Sequence, residues 1–135
     1  MRKEDELSIM QCSLLQFHNM RTKEHINIGF VLQDDSRIYL YAPISHPSLS
    51  RYLTAHSPES LSYAVEVYSS ILKETGLLSG QKIGKFLAVT SPFPVQSRES
   101  GKKAVARFAK VYLTTDTDPF DETLVVTLDI NKKHS

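Results

Sequence analysis

The sequence predicts an α+β domain in which a small antiparallel sheet is covered by about three helices. Two observations lead to this prediction. Alternating apolar residues occupy the first third of the chain, and apolar residues at helical spacing follow in its middle and later parts. The sheet is expected to contain an N-terminal meander of three strands and one later strand. The 135 residues match the usual length of one domain, so we assign residues 1–135 to a single domain.

The first two strands are expected before residue 33. From Leu7 to Phe17 apolar residues occupy both parities, which is typical of a central strand covered on both faces. The next four apolar residues alternate with His25, Asn27 and Gly29. We expect these four apolar side chains on one face of the sheet and the other three residues on the opposite face. The four apolar residues are Ile26, Ile28, Phe30 and Leu32.

A short third strand is expected from Arg37 to Tyr41, after the turn residues Asp34 and Asp35. Alternation places Ile38 and Leu40 on the face opposite Tyr39 and Tyr41. Tyrosine is favoured at interfaces, so Tyr39 and Tyr41 are candidates for an exposed aromatic patch, with half-burial of both rings as the alternative.

Three helices are predicted after the meander. The first begins at the N-cap Ser57, has Pro58 in its first position and ends at Gly76. A second is expected from Gln81 to about Ala88, although Gly80 and Gly84 weaken it.

The third helix is predicted from near Glu99 to Tyr112, after an extended segment that contains Pro92 and Pro94. A final strand is expected from Thr123 to Ile130. The residues that the third helix is expected to bury are Ala104, Val105, Phe108, Val111 and Tyr112.

Composition excludes several classes of protein. Sixteen Lys and Arg against fifteen Asp and Glu exclude a uniformly basic nucleic-acid coat. A single Cys excludes a disulfide framework and is typical of a reducing cytosol. The N-terminal sequence has no apolar segment of a signal peptide, and no apolar run is long enough to cross a bilayer. We therefore expect a cytoplasmic protein without a membrane partner.

Charge is distributed unevenly behind this near-neutral total. Seven Lys or Arg and one Glu lie between residues 81 and 110, whereas residues 111–130 contain five acidic residues and no Lys or Arg. Lys103, Arg107 and Lys110 fall on one side of the third predicted helix, with Lys102 beside them. Three interpretations stay open: a protein interface, a nucleic-acid site, or a solvated face balanced by the acidic segment.

Candidate chemistry is sparse. His18, Glu24 and His25 flank the first turn and could supply metal ligands, and His46 and His56 lie in a later loop. Asp116, Asp118 and Asp121 form the core of an acidic run that could bind a hard cation, but no metal-binding spacing is present.

The sequence contains no motif of a catalytic nucleophile or of a nucleotide-binding site. Cys12 lies among apolar neighbours, no serine has a nucleophile-elbow motif, and the five scattered glycines form no phosphate-binding loop. We therefore expect no catalytic residue, no metal and no cofactor, and a protein more suited to binding than to catalysis.

Two segments resemble a known family. Ser13–Phe17 with Glu24–Leu32, and then Ser91–Val95 with the helix after it, are similar to short bacterial proteins grouped as domain of unknown function three-zero-three-seven. The turn lacks a proline often seen there, and the Thr123–Ile130 strand has no match. The resemblance implies an association with HipA-like kinase genes, toxin–antitoxin systems or mobile and defence loci, without an assigned activity.

Glu24, Asn27 and Gly29 are expected to be the most constrained local feature. Gly29 on a strand allows close backbone approach, and Asn27 could hydrogen-bond a neighbouring segment. The function expected overall is non-enzymatic binding of another protein. The alternatives are nucleic-acid binding through residues 82–110 and a metal-dependent hydrolase, and a homodimer is left open.

Overall fold

Strand β1, Ser8–His18, is the central strand of an antiparallel sheet with one helix on each face. In this computed structural model the described residues are 8–18, 23, 25–35, 37–42, 58–99, 101–113 and 125–129. This part of the chain contains seven strands and two helices. The mixed, antiparallel fold class is therefore confirmed, whereas the number of helices is smaller than expected.

The element bounds follow the chain order. The remaining strands are β2 His25–Gln33, β3 Arg37–Tyr41, β4 Gln81–Ile83, β5 Leu87–Val89, β6 Phe93–Ser97 and β7 Val125–Asp129. The helices are α1 Pro58–Thr75 and α2 Gly101–Tyr112. The sheet order is β4-β5-β1-β2-β3-β7, and β6 also pairs with β1. The predicted meander and the predicted late strand are both confirmed, since β1–β2–β3 are adjacent and β7 pairs with β3.

One edge of β1 is shared between two strands. Its first half, residues 8–12, pairs with β6, and residues 15–17 pair with β5. Its other edge pairs with β2 from Gln11 to His18. The long strand β1 thereby joins all parts of the sheet, which agrees with its expected position at the centre.

An irregularity in β2 reverses the direction of its side chains. Leu15 pairs with Gly29 and Gln16 with Asn27, so one residue of β2 has no counterpart at this point. A bulge of this kind moves the following side chains to the opposite face. Ile28 consequently packs on the α1 side, whereas Phe30 packs on the α2 side. The expectation of one common face for Ile26, Ile28, Phe30 and Leu32 is therefore wrong.

Each face of the sheet has its own hydrophobic core. On one face the apolar side of α1 packs against alternate residues of β1, β2 and β3. On the other face α2 packs against the intervening residues. The α1 core includes Leu15, Phe17, Ile38, Leu40 and Tyr68. The α2 core includes Met10, Cys12, Phe30, Val105 and Phe108.

Two of the expected end signals of α1 are seen, whereas the predicted N-cap Ser57 lies outside the described residues. Pro58 occupies the first helical position, where its missing N–H costs no hydrogen bond. At the C-terminal end Gly76 has a φ of 66°, and its N–H donates to the Leu72 carbonyl at 2.8 Å. The predicted first helix is confirmed.

The second predicted helix, Gln81 to Ala88, is instead the β4–β5 hairpin. Ile83 pairs with Leu87, and Gly84 starts the intervening turn with a φ of 67°. Glycine adopts this conformation readily, whereas a right-handed helix excludes it. Gly84 therefore forms a turn, and the expected count of about three helices is corrected to two within the described residues.

The third predicted helix corresponds to α2, with one difference in burial. Ala104, Val105 and Phe108 are buried beneath it as expected, and Tyr112 is partly buried. Val111, in contrast, is 62% exposed, because it follows Arg107 by four residues and lies at the border of the charged side. Its expected burial is wrong.

Candidate functional site

The outer face of α2 carries a group of exposed cations. Lys103, Arg107 and Lys110 are separated by four and three residues, so helical geometry places them on one side. We call these three residues the basic face of α2. The opposite side of the helix is buried in the α2 core, which fixes the orientation of the basic face toward solvent. The side chain of Lys102 lies outside the described part.

A shallow groove of about 330 Å³ follows the basic face. Its lining residues are Glu99, Lys103, Ala106, Arg107 and Lys110. Among the described residues that line the groove, Glu99 is the only carboxylate, and its Oε1 lies 4.0 Å from Arg107 Nη1. Both side chains are well exposed, so water weakens this ion pair and Arg107 keeps much of its capacity to bind an anionic group.

The start of α2 is shaped by Ser97 and Gly101. Ser97 Oγ accepts a hydrogen bond from the Glu99 N–H at 3.0 Å and donates one to the Glu99 carbonyl at 2.8 Å. Gly101 then adopts a φ of 60°. The first turn of α2 has no acidic residue, so its positive helix end adds to the potential of the basic face.

The end of α2 is attached to the sheet by Asn27. Its Nδ2 donates a hydrogen bond to the Tyr112 carbonyl at 2.9 Å, and its Oδ1 accepts one from Gln16 Nε2 at 3.0 Å. The Tyr112 carbonyl is one of the last in the helix and has no partner within it. Asn27 therefore fixes the position of the helix end above β1 and β2.

Aromatic contacts reinforce this attachment. The Tyr112 ring stacks with Phe108 at a centroid distance of 5.8 Å and meets Phe30 and Phe93 edge-on at 6.2 and 6.0 Å. Burial raises the pKa of the Tyr112 hydroxyl, with a smaller contribution from Cys12. The helix that presents the basic face is thus anchored at its C-terminal end by both polar and aromatic contacts.

Gly29 lies where β2 approaches the end of β3. A Cβ atom at this position would lie 2.9 Å from the Ala42 Cα and would also overlap the Tyr41 carbonyl oxygen. Such separations leave no room for a side chain. Together, Asn27 and Gly29 have structural contacts that involve α2 and β3, while Glu24 lies outside the described residues.

Tyr39 and Tyr41 are core residues. Tyr39 is 6% exposed and Tyr41 is fully buried, because both point toward α2 rather than solvent. Tyr41 contacts Phe30 at a ring-centroid distance of 5.8 Å. The expected exposed aromatic patch is therefore replaced by part of the α2 core, and neither tyrosine is an interface residue in this fold.

A pair of histidines lies opposite each other on β1 and β2. His18 pairs with His25 in the strand register, and His18 Nδ1 lies 2.9 Å from His25 Nε2. The pKa of His18 is lowered by desolvation and further by His25, Lys82 and Lys23. The sequence predicts both histidines at the first turn. The contact between their rings depends on the pairing register of β1 and β2, which only the folded sheet shows.

The described residues offer no activated nucleophile. Cys12 is fully buried, and burial raises its thiol pKa to about 12, so the reactive thiolate is absent near neutral pH. Ser13 is buried without a side-chain hydrogen bond to the described residues. No group of three or more potential metal ligands occurs in the described ranges. His46, His56 and the acidic run with Asp116, Asp118 and Asp121 lie outside these ranges.

An apolar groove was missed because residues 81–88 were predicted as a helix. It has a volume of about 310 Å³ and lies between α1 and the β4–β5 hairpin. Its lining residues are Tyr63, Ala64, Val67, Ile83, Gly84, Lys85 and Phe86. The exposed Tyr63, four residues before Val67 and therefore on the same side of α1, is the sequence signal that indicates this border.

Neither described helix combines the length and apolar character needed to cross a bilayer. Comparison of the chain with protein-family models, curated sequences and solved structures gives no match. The resemblance to domain of unknown function three-zero-three-seven therefore stays a prediction, and function has to be argued from the site.

Proposed function

We propose that this chain is a non-enzymatic cytoplasmic protein that binds an acidic surface of another protein through the basic face of α2. The observation that carries this proposal is the exposure of Lys103, Arg107 and Lys110 on one side of a helix whose other side is buried. Opposite charges on two protein surfaces accelerate their encounter and select the correct partner. The helix is held at its end by Asn27, so the three cations are presented on a fixed support.

Apolar groups beside the cations favour a protein partner. Val111 is 62% exposed at one border of the basic face, and Ala106 lines the groove at the other. Interfaces between proteins commonly place apolar contacts within a charged rim, and arginine is enriched among their strongest contacts. Arg107 lies between these two apolar borders and is the expected centre of the interface.

Nucleic acid is the second candidate ligand for the same face. Three cations at helical spacing would neutralise about three phosphates, and raising salt from 50 to 200 mM would then weaken binding to a duplex roughly 40-fold. Against this candidate, Glu99 places a carboxylate in the groove, and none of the described residues that line it has an aromatic ring for base stacking. We therefore favour a protein partner.

The partner class follows from the resemblance. We propose membership of the bacterial family of domain of unknown function three-zero-three-seven, and a HipA-like kinase or another component of a toxin–antitoxin or phage-defence system as the bound protein. The resemblance of residues 13–17, 24–32 and 91–95 supports this choice. A homodimer formed through the same face is disfavoured, since two basic faces repel each other.

Quantitative affinity purification tests the proposal. The chain is isolated from its native cells as wild type and as the triple variant Lys103→Glu, Arg107→Glu, Lys110→Glu. A matched control, Lys23→Glu, Lys82→Glu, Lys85→Glu, makes the same charge change at exposed positions away from α2. We expect a stoichiometric protein with the wild type and the control and its loss from the α2 variant, with and without nuclease.

Two results would contradict the proposal. One is the absence of any stoichiometric protein from the wild-type sample. The other is equal recovery of the partner with the α2 variant. If the wild type recovers nucleic acid instead of a protein, and the α2 variant recovers neither, nucleic-acid binding would replace protein binding as the function of this face.

A further inference from the structure

We propose that His18 and His25 form a two-imidazole binding site for Cu²⁺ or Ni²⁺ at the turn end of the β1–β2 pair. This site is independent of the basic face of α2 and uses none of its residues. The strand register places the two histidines directly opposite each other, where side chains of neighbouring strands come closest. The backbone of an antiparallel sheet thus sets the spacing of both ligands.

The ring geometry suits two ligands of one ion. His18 Nδ1 and His25 Nε2 are 2.9 Å apart, while the ring centroids are 4.5 Å apart with planes inclined by 43°. Two rings joined end to end would have a larger centroid separation, so these rings lie partly side by side. Their facing nitrogens can therefore turn toward a common point beside the line that joins them.

The distance between the nitrogens favours particular metals. With metal–nitrogen bonds of about 2.0–2.1 Å, two nitrogens 2.9 Å apart subtend an angle of about 90° at the ion. This is the angle between adjacent ligands in square-planar and octahedral coordination, which Cu²⁺ and Ni²⁺ adopt with imidazole ligands. Tetrahedral Zn²⁺ would need the nitrogens about 3.3 Å apart.

Metal binding requires one proton to change place within the pair. In the free protein, a hydrogen bond between two neutral rings needs an N–H on one of the facing nitrogens. For coordination, that proton moves through solvent to the far nitrogen of the same ring, His18 Nε2 or His25 Nδ1. No net proton is released, two waters leave the hydrated ion, and both facing lone pairs bind the metal.

The surroundings of the pair disfavour cations that bind imidazole weakly. Lys23 and Lys82 lie close enough to His18 to influence its titration, and both are positively charged. They repel any divalent ion, so the site depends on the strong bonds that imidazole forms with Cu²⁺ and Ni²⁺ and excludes Mg²⁺ and Ca²⁺. With two protein ligands, the ion keeps open positions for water or for a donor group of a bound molecule.

Metal titration of the tag-free chain at pH 7.5 tests this inference. Calorimetry with Cu²⁺ and with Ni²⁺ in a weakly coordinating buffer is expected to show one ion per chain. His18→Gln and His25→Gln should each weaken binding at least about tenfold, because a chelate becomes a single ligand. His56→Gln is the control for an imidazole elsewhere in the sequence and should leave the affinity unchanged. Lys82→Gln should strengthen binding several-fold, since it removes a repelling charge.

A spectroscopic measurement on the wild type completes the test without relying on variants. Cu²⁺ should broaden amide NMR signals around residues 16–18, 25–27 and 81–86, which surround the pair in the sheet. The inference is overturned if neither metal binds saturably below millimolar concentration. It is also overturned if both histidine variants bind as the wild type does, which would leave the pair as a hydrogen bond alone.

Discussion

Gly29 shows how a single residue determines the local shape of the sheet. It follows the bulge of β2, and its backbone lies against Tyr41 and Ala42 at the end of β3. A side chain at this position would push β2 and β3 apart. This is the point at which the side chains of β2 change from the α1 core to the α2 core. The absence of a Cβ atom, rather than a special backbone angle, is what this position requires.

Gly29→Ala is therefore expected to destabilise the protein by about 1–3 kcal/mol, the usual cost of an added methyl group in a filled site. Gly84→Ala is the matched control, because no atom lies within 4 Å of a Cβ there and only its φ of 67° opposes the change. We expect about 1 kcal/mol for this control. Urea unfolding followed by circular dichroism measures both. An equal or smaller effect at Gly29 would contradict the packing described for β2 and β3.

Cys12 gives the protein a characteristic response to alkaline pH. Burial raises its thiol pKa from 9.0 to about 12, so the unfolded chain releases this proton more readily than the folded chain. The buried, protonated thiol of Cys12 makes its full contribution to the free energy of unfolding below pH 9, and this contribution is lost as pH rises toward 12. Burial also raises the pKa of Tyr68 and Tyr112, which adds to the same trend.

We therefore expect the free energy of unfolding to fall between pH 9 and pH 11, and to fall less steeply in Cys12→Ala. Denaturant titrations at several pH values measure this slope. In the native protein at pH 8, a thiol reagent should react with Cys12 only after unfolding, because the side chain is fully buried. Rapid labelling of the folded protein would show that Cys12 is accessible and that this account of its environment is wrong.

At the scale of elements, the anchored end of α2 connects the sheet to the candidate interface. Asn27 joins β2 to the last turn of the helix, and Gln16 of β1 supports the Asn27 side chain. A change in this polar link should consequently alter the position of the basic face without touching any of its cations.

Asn27→Ala is expected to reduce stability by about 1–2 kcal/mol, because it leaves the Tyr112 carbonyl without its donor. Hydrogen exchange should accelerate at the amides of the last turn of α2, including Leu113, whose N–H bonds the Ala109 carbonyl at 3.1 Å. Gln96→Ala, at an exposed position of β6, is the control and should change neither quantity. Unchanged hydrogen exchange in Asn27→Ala would contradict this role of Asn27. It would show that the aromatic contacts of Tyr112 are enough to hold the last turn of α2 in place.

The elements differ in how far the sequence could predict them. Helix α1 was predictable because Pro58 and Gly76 mark its ends and its apolar residues repeat regularly. The bulge of β2 was not, because the apolar residues up to Phe30 alternate with His25, Asn27 and Gly29, and the reversal depends on pairing with β1. The β4–β5 hairpin was not predictable from residues 81–88 alone, because Gly84 is compatible with a weak helix as well as with the turn that its φ of 67° forms.

The candidate site was predictable to a similar extent. Helical spacing sufficed to place Lys103, Arg107 and Lys110 together, because the periodicity of α2 is unambiguous. The contact of His18 with His25, the contact of Asn27 with Tyr112 and the burial of Tyr39 depend on elements distant in sequence. Such relations follow from register and packing, which a single sequence does not contain.

At the scale of the whole molecule, near-neutral charge conceals a division of surfaces. The chain has sixteen Lys and Arg against fifteen Asp and Glu, yet the described residues that line the groove on the outer face of α2 include three cations and a single carboxylate. The antiparallel sheet holds α1 and α2 on opposite faces, so the basic face of α2 and the exposed side of α1 point away from each other. One side of the molecule can thus bind a partner while the other stays in solvent.

Site-specific photo-crosslinking in the native cells tests this claim most directly. A photoreactive residue replaces Val111, which is 62% exposed beside the basic face, or Tyr63 of α1, which is 68% exposed on the other side. We expect a covalent adduct with one protein from position 111, its loss when Lys103, Arg107 and Lys110 are reversed in charge, and no such adduct from position 63. The absence of a protein adduct at position 111, or the same adduct from both positions, would contradict it.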